Sequence, residues 1–389
     1  MASAALRGPG EVTTAQESRS DALIAGGGLA GAGLGILLAR QGKSVEIIEK
    51  SSEMHDSVCG EFLSREAVLY LEELGIDLKR LGAIPIHTVR LFARHLLAEC
   101  ALPFPARSLT RRVLDEALLT QAVQMRARVI RGRRVESLVR DEHGWSAKLS
   151  GGELRLGKNA FLATGKHEVY GYARGSGVQS NLIAFKIYFR LTPVQQNDLT
   201  GCVELILFPG GYAGLQAVEG DRANLCLLVK RAVLRQCGGD WAQLLLRIQC
   251  SSEHLAQRLA GAEALLDKPL ALSAIPYGML RRHASDSLWR VGDQAAVIPS
   301  FSGDGMSIAL HSAHLAAEAY LSGRSAESFQ QQLHYELRPA MIRATVLSRL
   351  MIAFPALAHI VRLQPSWLGQ FAANTRVPEP ALLITRGNA

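Results

Sequence analysis

Gly26, Gly28 and Gly31 stand in a G-x-G-x-x-G run directly after the apolar stretch Ala22–Ala25, and Glu49 ends the next apolar stretch. Such spacing suits a backbone that must close on a pyrophosphate. Gly26 permits the tight turn, Gly28 lets the main chain approach the phosphates, and Gly31 lets the following helix pack close to the strand. The anion would rest on the unpaired amides that open that helix, with Leu29 and Ala30 in its first turn. Glu49, followed by Lys50, would accept hydrogen bonds from the hydroxyls of an adenosine ribose. These residues predict a dinucleotide site.

A second cluster lies far along the chain. Gly292-Asp293 closes the short strand expected over 288–293, and Pro299, then Gly303-Asp304-Gly305-Met306-Ser307, come just after it. With Thr110-Arg111-Arg112-x-x-Asp115 and the fingerprint, this pattern resembles the family of FAD-dependent oxidoreductases that includes aromatic hydroxylases (group A flavoprotein monooxygenases), geranylgeranyl reductases and flavin-dependent halogenases. The resemblance implies one bound FAD, with Asp293 on its ribityl chain. Pro299, Gly303 and Gly305 would form a loop along the isoalloxazine ring. The helix carrying Met306 and Ser307 would direct its positive end at the ring, stabilising an anionic reduced flavin. Arg111 would reach the cofactor. Thr164, in Ala163-Thr164-Gly165, replaces the aspartate of the hydroxylases' Asp-Gly motif, so their mode of docking a nicotinamide donor does not carry over. NADH or NADPH is still the expected electron donor.

Cys59-Gly60 resembles a segment that lies beside the flavin in geranylgeranyl reductases. Cys59 would tune the flavin, protonate a substrate carbon, or simply fill a small buried space; an ordinary thiol, with a pKa of about 8.5, is a poor acid or base without help. Glu61 would orient a substrate or cap the helix beginning at Ser64, and capping is the favoured role. Phe208, Pro209 and Tyr212 resemble the segment lining the reductases' substrate cavity, with core packing as the alternative. A halogenase Trp-x-Trp-x-Ile-Pro run is absent from the sequence. His311 and His314 have no acidic third ligand in view, so no metal site is expected. There is no Gly-x-Ser-x-Gly run to suggest a hydrolase.

These residues need elements to hold them. Apolar runs at 22–25 and 44–49 around a helix from about Leu29 to Gln41 make a βαβ unit. Further helices are expected over 64–82, Arg111–Gln124 and Met306–Leu321, with strand-like alternation over 86–100. The stretch Ala22–Ala39 lacks any charge, but its glycines fit the βαβ unit better than a membrane span. The fold class predicted is α/β: a doubly wound, glutathione-reductase-like FAD-binding Rossmann domain with an inserted sheet-centred substrate domain and a helical C-terminus. The domains would be a flexible tail (1–20), the first part of the FAD domain (21–169, lending strand 86–100 to the substrate domain), the substrate domain (170–285), the rest of the FAD domain (286–325) and C-terminal helices (326–389).

A net charge of +8 over 389 residues, without a Lys/Arg block, argues against nucleic-acid binding. Six cysteines without CxxC spacing argue against zinc and disulfides, and for a reducing cytoplasm. The stretch Met341–Phe371 mixes large apolar residues with arginines, so it would pack on the body, cover a lipophilic substrate or touch a membrane surface. The expected activity is hydroxylation of a hydrophobic aromatic or polyketide-like small molecule by a flavin C4a-hydroperoxide formed with O2. The alternatives are reduction of prenyl or polyketide double bonds, halogenation, and non-catalytic flavin binding. A monomer or homodimer would serve any of them.

Overall fold

The computed structural model describes residues 19–354, 359 and 361–382. The chain opens with β1 (Ser20–Ala25), α1 (Leu29–Arg40) and β2 (Val45–Glu49), then β3 (Phe62–Leu63) and α2 (Arg65–Glu73). A hairpin of β4 (Ile84–Ala93) and β5 (His95–Ser108) leads to α3 (Arg111–Gln124), β6 (Arg128–Arg131), β7 (Val135–Asp141), β8 (Gly144–Leu149) and β9 (Leu154–Leu162). The middle of the chain forms β10 (Leu182–Arg190), α4 (Pro193–Leu199), β11 (Cys202–Phe208), β12 (Gly211–Val218) and β13 (Arg222–Lys230). Next come α5 (Arg231–Gln236), α6 (Trp241–Ser251), α7 (Glu253–Arg258), β14 (Glu263–Ala264) and β15 (Leu270–Ser273). Last are β16 (Met279–Leu280), β17 (Trp289–Arg290), β18 (Ala296–Val297), α8 (Gly305–Leu321), α9 (Ala326–Ala353) and α10 (Ser366–Asn374).

Two sheets organise these elements. The first runs β6-β2-β1-β9-β8-β7, with β17 also on β9; β6, β2, β1, β9 and β17 are parallel. Parallel strands buried on both faces explain the uninterrupted apolar runs. Helix α1 is buried from Leu29 to Ile36, between this sheet and α3 and α8. Its glycines are packing devices: a Cβ on Gly31 would lie 1.9 Å from the Gly26 carbonyl oxygen, and one on Gly35 2.5 Å from Ile47. The charge-free stretch is thus a buried strand and helix. Among the described residues no helix is long and apolar enough to cross a membrane.

The second sheet, β14-β10-β13-β12-β11-β4-β5-β3 with β15 on β10, joins residues 62–108 to residues 182–273. The expected single strand over 86–100 is instead the β4–β5 hairpin, because Arg94 takes a left-handed conformation (φ 66°) and reverses the chain. The helix expected over 64–82 stops at Glu73, where Gly75 (φ 84°) ends it. Of the expected tail, Ser20 already belongs to β1, and residues 1–18 lie outside the described residues. One face of the second sheet packs on α5, α6 and α7 through Phe185, Ile187, Ile206, Phe208 and Leu225. The other faces a cavity closed by α9 and α10.

Candidate functional site

One cavity of about 1110 Å³ runs from the first sheet's glycine turn to the second sheet. At its first end the chain leaves β1 at Gly26, whose φ of 107° lies where side chains rarely go; a Cβ there would meet the Ala163 carbonyl at 2.4 Å. Gly28 caps α1 with ordinary backbone angles, and a Cβ there would meet only the Arg111 guanidinium, at 3.3 Å. The main chain is therefore bare toward the cavity at Gly28, with the opening amides of α1 behind it. Glu49 holds the turn, accepting from the Gly27 and Ser51 amides at 2.8 and 2.9 Å. Each oxygen keeps a lone pair for a diol. Lys50 lies beside it, 2.6 Å from His167 Nε2, and burial lowers the pKa of its ammonium.

Further in, Arg111 forms a two-point ion pair with Asp115, both contacts at 2.8 Å, so its charge is already matched as it meets Gly28. The Thr164 hydroxyl donates to the His167 carbonyl at 2.7 Å. Asp293, in a short 3-10 turn after Gly292, lines the cavity half-buried. Gly303 is left-handed (φ 74°) and packs on Phe62, where a Cβ would come within 2.7 Å. Gly305 has nothing within 4 Å of such a Cβ, so the start of α8 lies open. An extended anionic dinucleotide fits this end: a bare turn, two helix N-termini and two carboxylates spaced along one wall.

Gly26, Gly28, Leu29, Ala30, Glu49, Lys50, Cys59, Gly60, Glu61, Arg111, Thr164, Tyr212, Asp293, Gly303, Gly305 and Met306 all line the cavity. Gly31 does not, being buried against Gly26. Pro299 sits between the lining residues Ile298 and Ser300 without facing inward. Ser307 points into the core, 2.5 Å from the Ser64 hydroxyl. Phe208 and Pro209, expected to face a substrate, do not: Phe208 belongs to the core on the sheet's far face, and Pro209 is exposed in the β11–β12 turn. Side chains alternate along a strand, so Val203, Leu205 and Leu207 face the cavity and Phe208 cannot. Tyr212 does face it, donating to or accepting from Ser300 at 3.0 Å and accepting from the Phe301 amide.

Glu61 also departs from expectation. It does not cap α2; it caps α3, accepting from the Arg111 amide at 2.8 Å. Its fully buried carboxylate also accepts from Lys186 Nζ (2.5 Å), the Tyr188 hydroxyl (2.8 Å) and Asn224 Nδ2 (3.0 Å). Four donors and no acceptor fit an ionised carboxylate, though burial pushes its pKa up against the pull of Lys186. Two of these partners, Lys186 and Asn224, together with Lys166, hold the preceding loop. Lys186 donates to the Ser57 carbonyl, Lys166 to that of Val58, and Asn224 to those of Cys59 and Gly60. Cys59 Sγ accepts from the Glu61 amide at 3.3 Å. The clamp fixes Cys59-Gly60 on the cavity wall.

Lys186, Tyr188, Asn224 and Cys226 were absent from the sequence reading. A lysine inside Leu182–Arg190 and an asparagine inside Arg222–Lys230 were the available signals, since apolar strands seldom carry them unpaired. Burial pushes the Cys226 thiol up to about 12, so it serves as wall and not as acid. Much of the rest of this end is apolar, with Val89, Leu91, Leu205 and Leu228 from the sheet facing Leu347, Met351 and Leu368 from α9 and α10. His311 and His314 bind separate partners: Tyr70 and Glu336 for the first, Leu310 and Glu73 for the second.

Residues 19–158 match the family described as the FAD binding domain. The chain is 25% identical over 327 residues to a menaquinone reductase of Mycolicibacterium smegmatis, covering 79% of this chain and 77% of that protein. It is 27% identical over 231 residues to the ubiquinone hydroxylase UbiL of Rhodospirillum rubrum, covering 56% and 53%. Among solved structures, the flavin-dependent brominase Bmp2 superposes with a TM-score of 0.77 at 18% identity, covering 95% and 98%. PqsL of Pseudomonas aeruginosa, described as a probable FAD-dependent monooxygenase, gives 0.66 at 19%, covering 92% and 99%. At such identities the structural likeness speaks to the fold.

Proposed function

We propose that this chain, an FAD-dependent oxidoreductase whose residues 19–158 belong to the FAD binding domain family, is a monooxygenase that hydroxylates a hydrophobic aromatic or polyketide-like small molecule. The observation that carries this reading is the division of the cavity. Its glycine end suits an anionic dinucleotide, and the space beyond is walled mainly by aliphatic and aromatic side chains. The likeness to a ubiquinone hydroxylase favours a ring carrying a lipophilic chain.

In this reading the amides of Gly26–Ala30 hold the FAD phosphates, Glu49 the ribose and Asp293 the ribityl chain. Cys59-Gly60 and the segment from Gly303 to Met306 flank the ring. Held by these residues, FAD would supply the redox chemistry, with NADH or NADPH as electron source and O2 as the oxygen donor to an electron-rich carbon. The protein's own part is to bind, orient and keep water out. Val89, Leu91, Leu205 and Leu228 present an apolar bed, Tyr212 supplies a hydroxyl at its edge, and α9 and α10 cover it. The α8 N-terminus faces the same space and favours negative charge. No residue here needs to act as a strong general base.

A second reading, hydride transfer to a double bond, is favoured by Cys59 on the cavity wall and by the likeness to a menaquinone reductase. Oxygen separates the two. Candidate lipophilic phenols, quinols and isoprenoids are incubated with enzyme and nicotinamide donor, with and without O2, and products are weighed by mass spectrometry. Oxygen transfer gives a product heavier by one oxygen atom that disappears without O2, and Cys59→Ser keeps turnover within about tenfold, ~1.4 kcal/mol of barrier. An anaerobic product heavier by two hydrogen atoms overturns the proposal. On that outcome Cys59→Ser should cut turnover about a hundredfold, the scale of a lost general acid.

A further inference from the structure

The residues that close the apolar end of the cavity are also exposed outside it. Leu350 and Phe354 at the end of α9, and Trp367 and Phe371 one turn apart on α10, line the cavity, yet Phe354 is 59% and Trp367 36% accessible. They form its rim. Val346 and Ile342, one and two turns before Leu350, extend the same exposed stripe along α9, each about half accessible, and Leu363, before α10, is exposed as well. Soluble surfaces scatter such residues singly, so a run of them around a cavity mouth marks a place that something covers.

Charge indicates what. Between Glu336 and Glu379 the sequence holds no acidic residue and five arginines. Four of these, Arg338, Arg343, Arg349 and Arg362, are exposed. Two are held beside the stripe: Arg343 donates to the Asn374 carbonyl at 3.1 Å and Arg349 to that of Val178 at 2.7 Å. A second copy of the chain docked here about a two-fold axis would set these arginines against themselves. A negatively charged lipid surface would neutralise them, while the aromatic and aliphatic rim enters the boundary between headgroups and acyl chains.

We propose that the exposed faces of α9 and α10 dock on an anionic phospholipid bilayer and turn the cavity mouth toward it, so that a lipophilic substrate passes from membrane to cavity without crossing water. The substrate clause rests on the proposed activity; the docking does not. Among the described residues no helix is long and apolar enough to span, so the contact is peripheral. It is tested without turnover, and failure leaves the oxygen-transfer reading standing. The FAD-loaded full chain is sedimented with vesicles of phosphatidylcholine alone and with vesicles about one third phosphatidylglycerol, and the bound fraction is measured. Partition onto the anionic vesicles is expected, weakened by salt. Ile342→Glu with Val346→Glu, at sites outside the cavity lining, should lower it by about tenfold or more at unchanged FAD content and melting temperature. Absence of binding to anionic vesicles, or binding that the paired substitution leaves intact, overturns the proposal. So does a stable dimer that the substitution splits while vesicles go unbound.

Discussion

The two ends of the cavity each bury a carboxylate, and the two are held in opposite ways. Glu49 accepts from the amides of Gly27 and Ser51, 22 and 2 positions away, groups that almost every residue carries. Glu61 accepts from partners 50 to 163 positions away, and all but the Arg111 amide are particular side chains. The glycine end is therefore a backbone device, sensitive to added side chains. The sheet end is a side-chain device, sensitive to lost ones. A ligand that meets main chain is met the same way in any sequence able to make the turn. A pocket wall built from side chains can be retuned strand by strand.

The strongest way to break that contrast is to add a side chain at the backbone end. Gly28→Val keeps allowed backbone angles and displaces only the flexible end of Arg111, so the protein should fold yet lose its FAD. Absorbance at the flavin band against protein content reads the result. Stoichiometric FAD in folded Gly28→Val would falsify the assignment of this turn. Gly31→Val, by contrast, should fail to fold, since its side chain meets the Gly26 carbonyl.

At the sheet end the matching experiment removes a side chain. Glu61→Ala strands the Lys186 ammonium at a site with no exposure and should cost about 3–5 kcal/mol in urea unfolding. Replacing both partners by apolar groups of similar size, Glu61→Leu with Lys186→Met, should restore much of that, because no unpaired charge remains. A cost below about 1 kcal/mol for the single change would mean that the clamp is not held by charge.

A smaller, graded effect is expected where the two ends meet, at the start of α8. Asp304 is fully buried, pairs with Arg376 at 3.1 Å, and burial pushes its pKa up to about 7 against that arginine's pull. A carboxyl raised in the folded state gives its stability below the unfolded value and loses it as pH rises toward the folded one. Between pH values of about 4 and 7 it should cost on the order of 1 kcal/mol per pH unit. Asp304→Asn has no proton to lose, so its unfolding free energy relative to the parent should rise across that range. Parallel pH profiles for the two proteins would show that Asp304 is ionised throughout.

The βαβ unit, the roles of Gly26 and Gly31, Glu49 beside the turn and the helix after Asp304 were all legible along the chain. Each depends on neighbours within a few turns, where 3.6-residue and two-residue periods and backbone conformation decide the outcome. Asp293 and Gly305 were found through a resemblance, and they line the same cavity. What the chain order could not show was which way the second sheet faces. Its central strands are apolar on both sides, one against helices and one against the cavity, so alternation leaves no amphipathic mark. That parity sent Phe208 to the far core and left Tyr212 on the cavity wall. The partners of Glu61 were hidden for a related reason. Lys186 and Asn224 read as anomalies in apolar strands, and only the pairing of β10 with β13 and the return of residues 55–61 beneath them bring the charges together. Local sequence determined the bare main-chain turn at the cavity's glycine end; tertiary packing alone decided which side chains line the space beyond it, because a strand's two faces are told apart only by what packs against each.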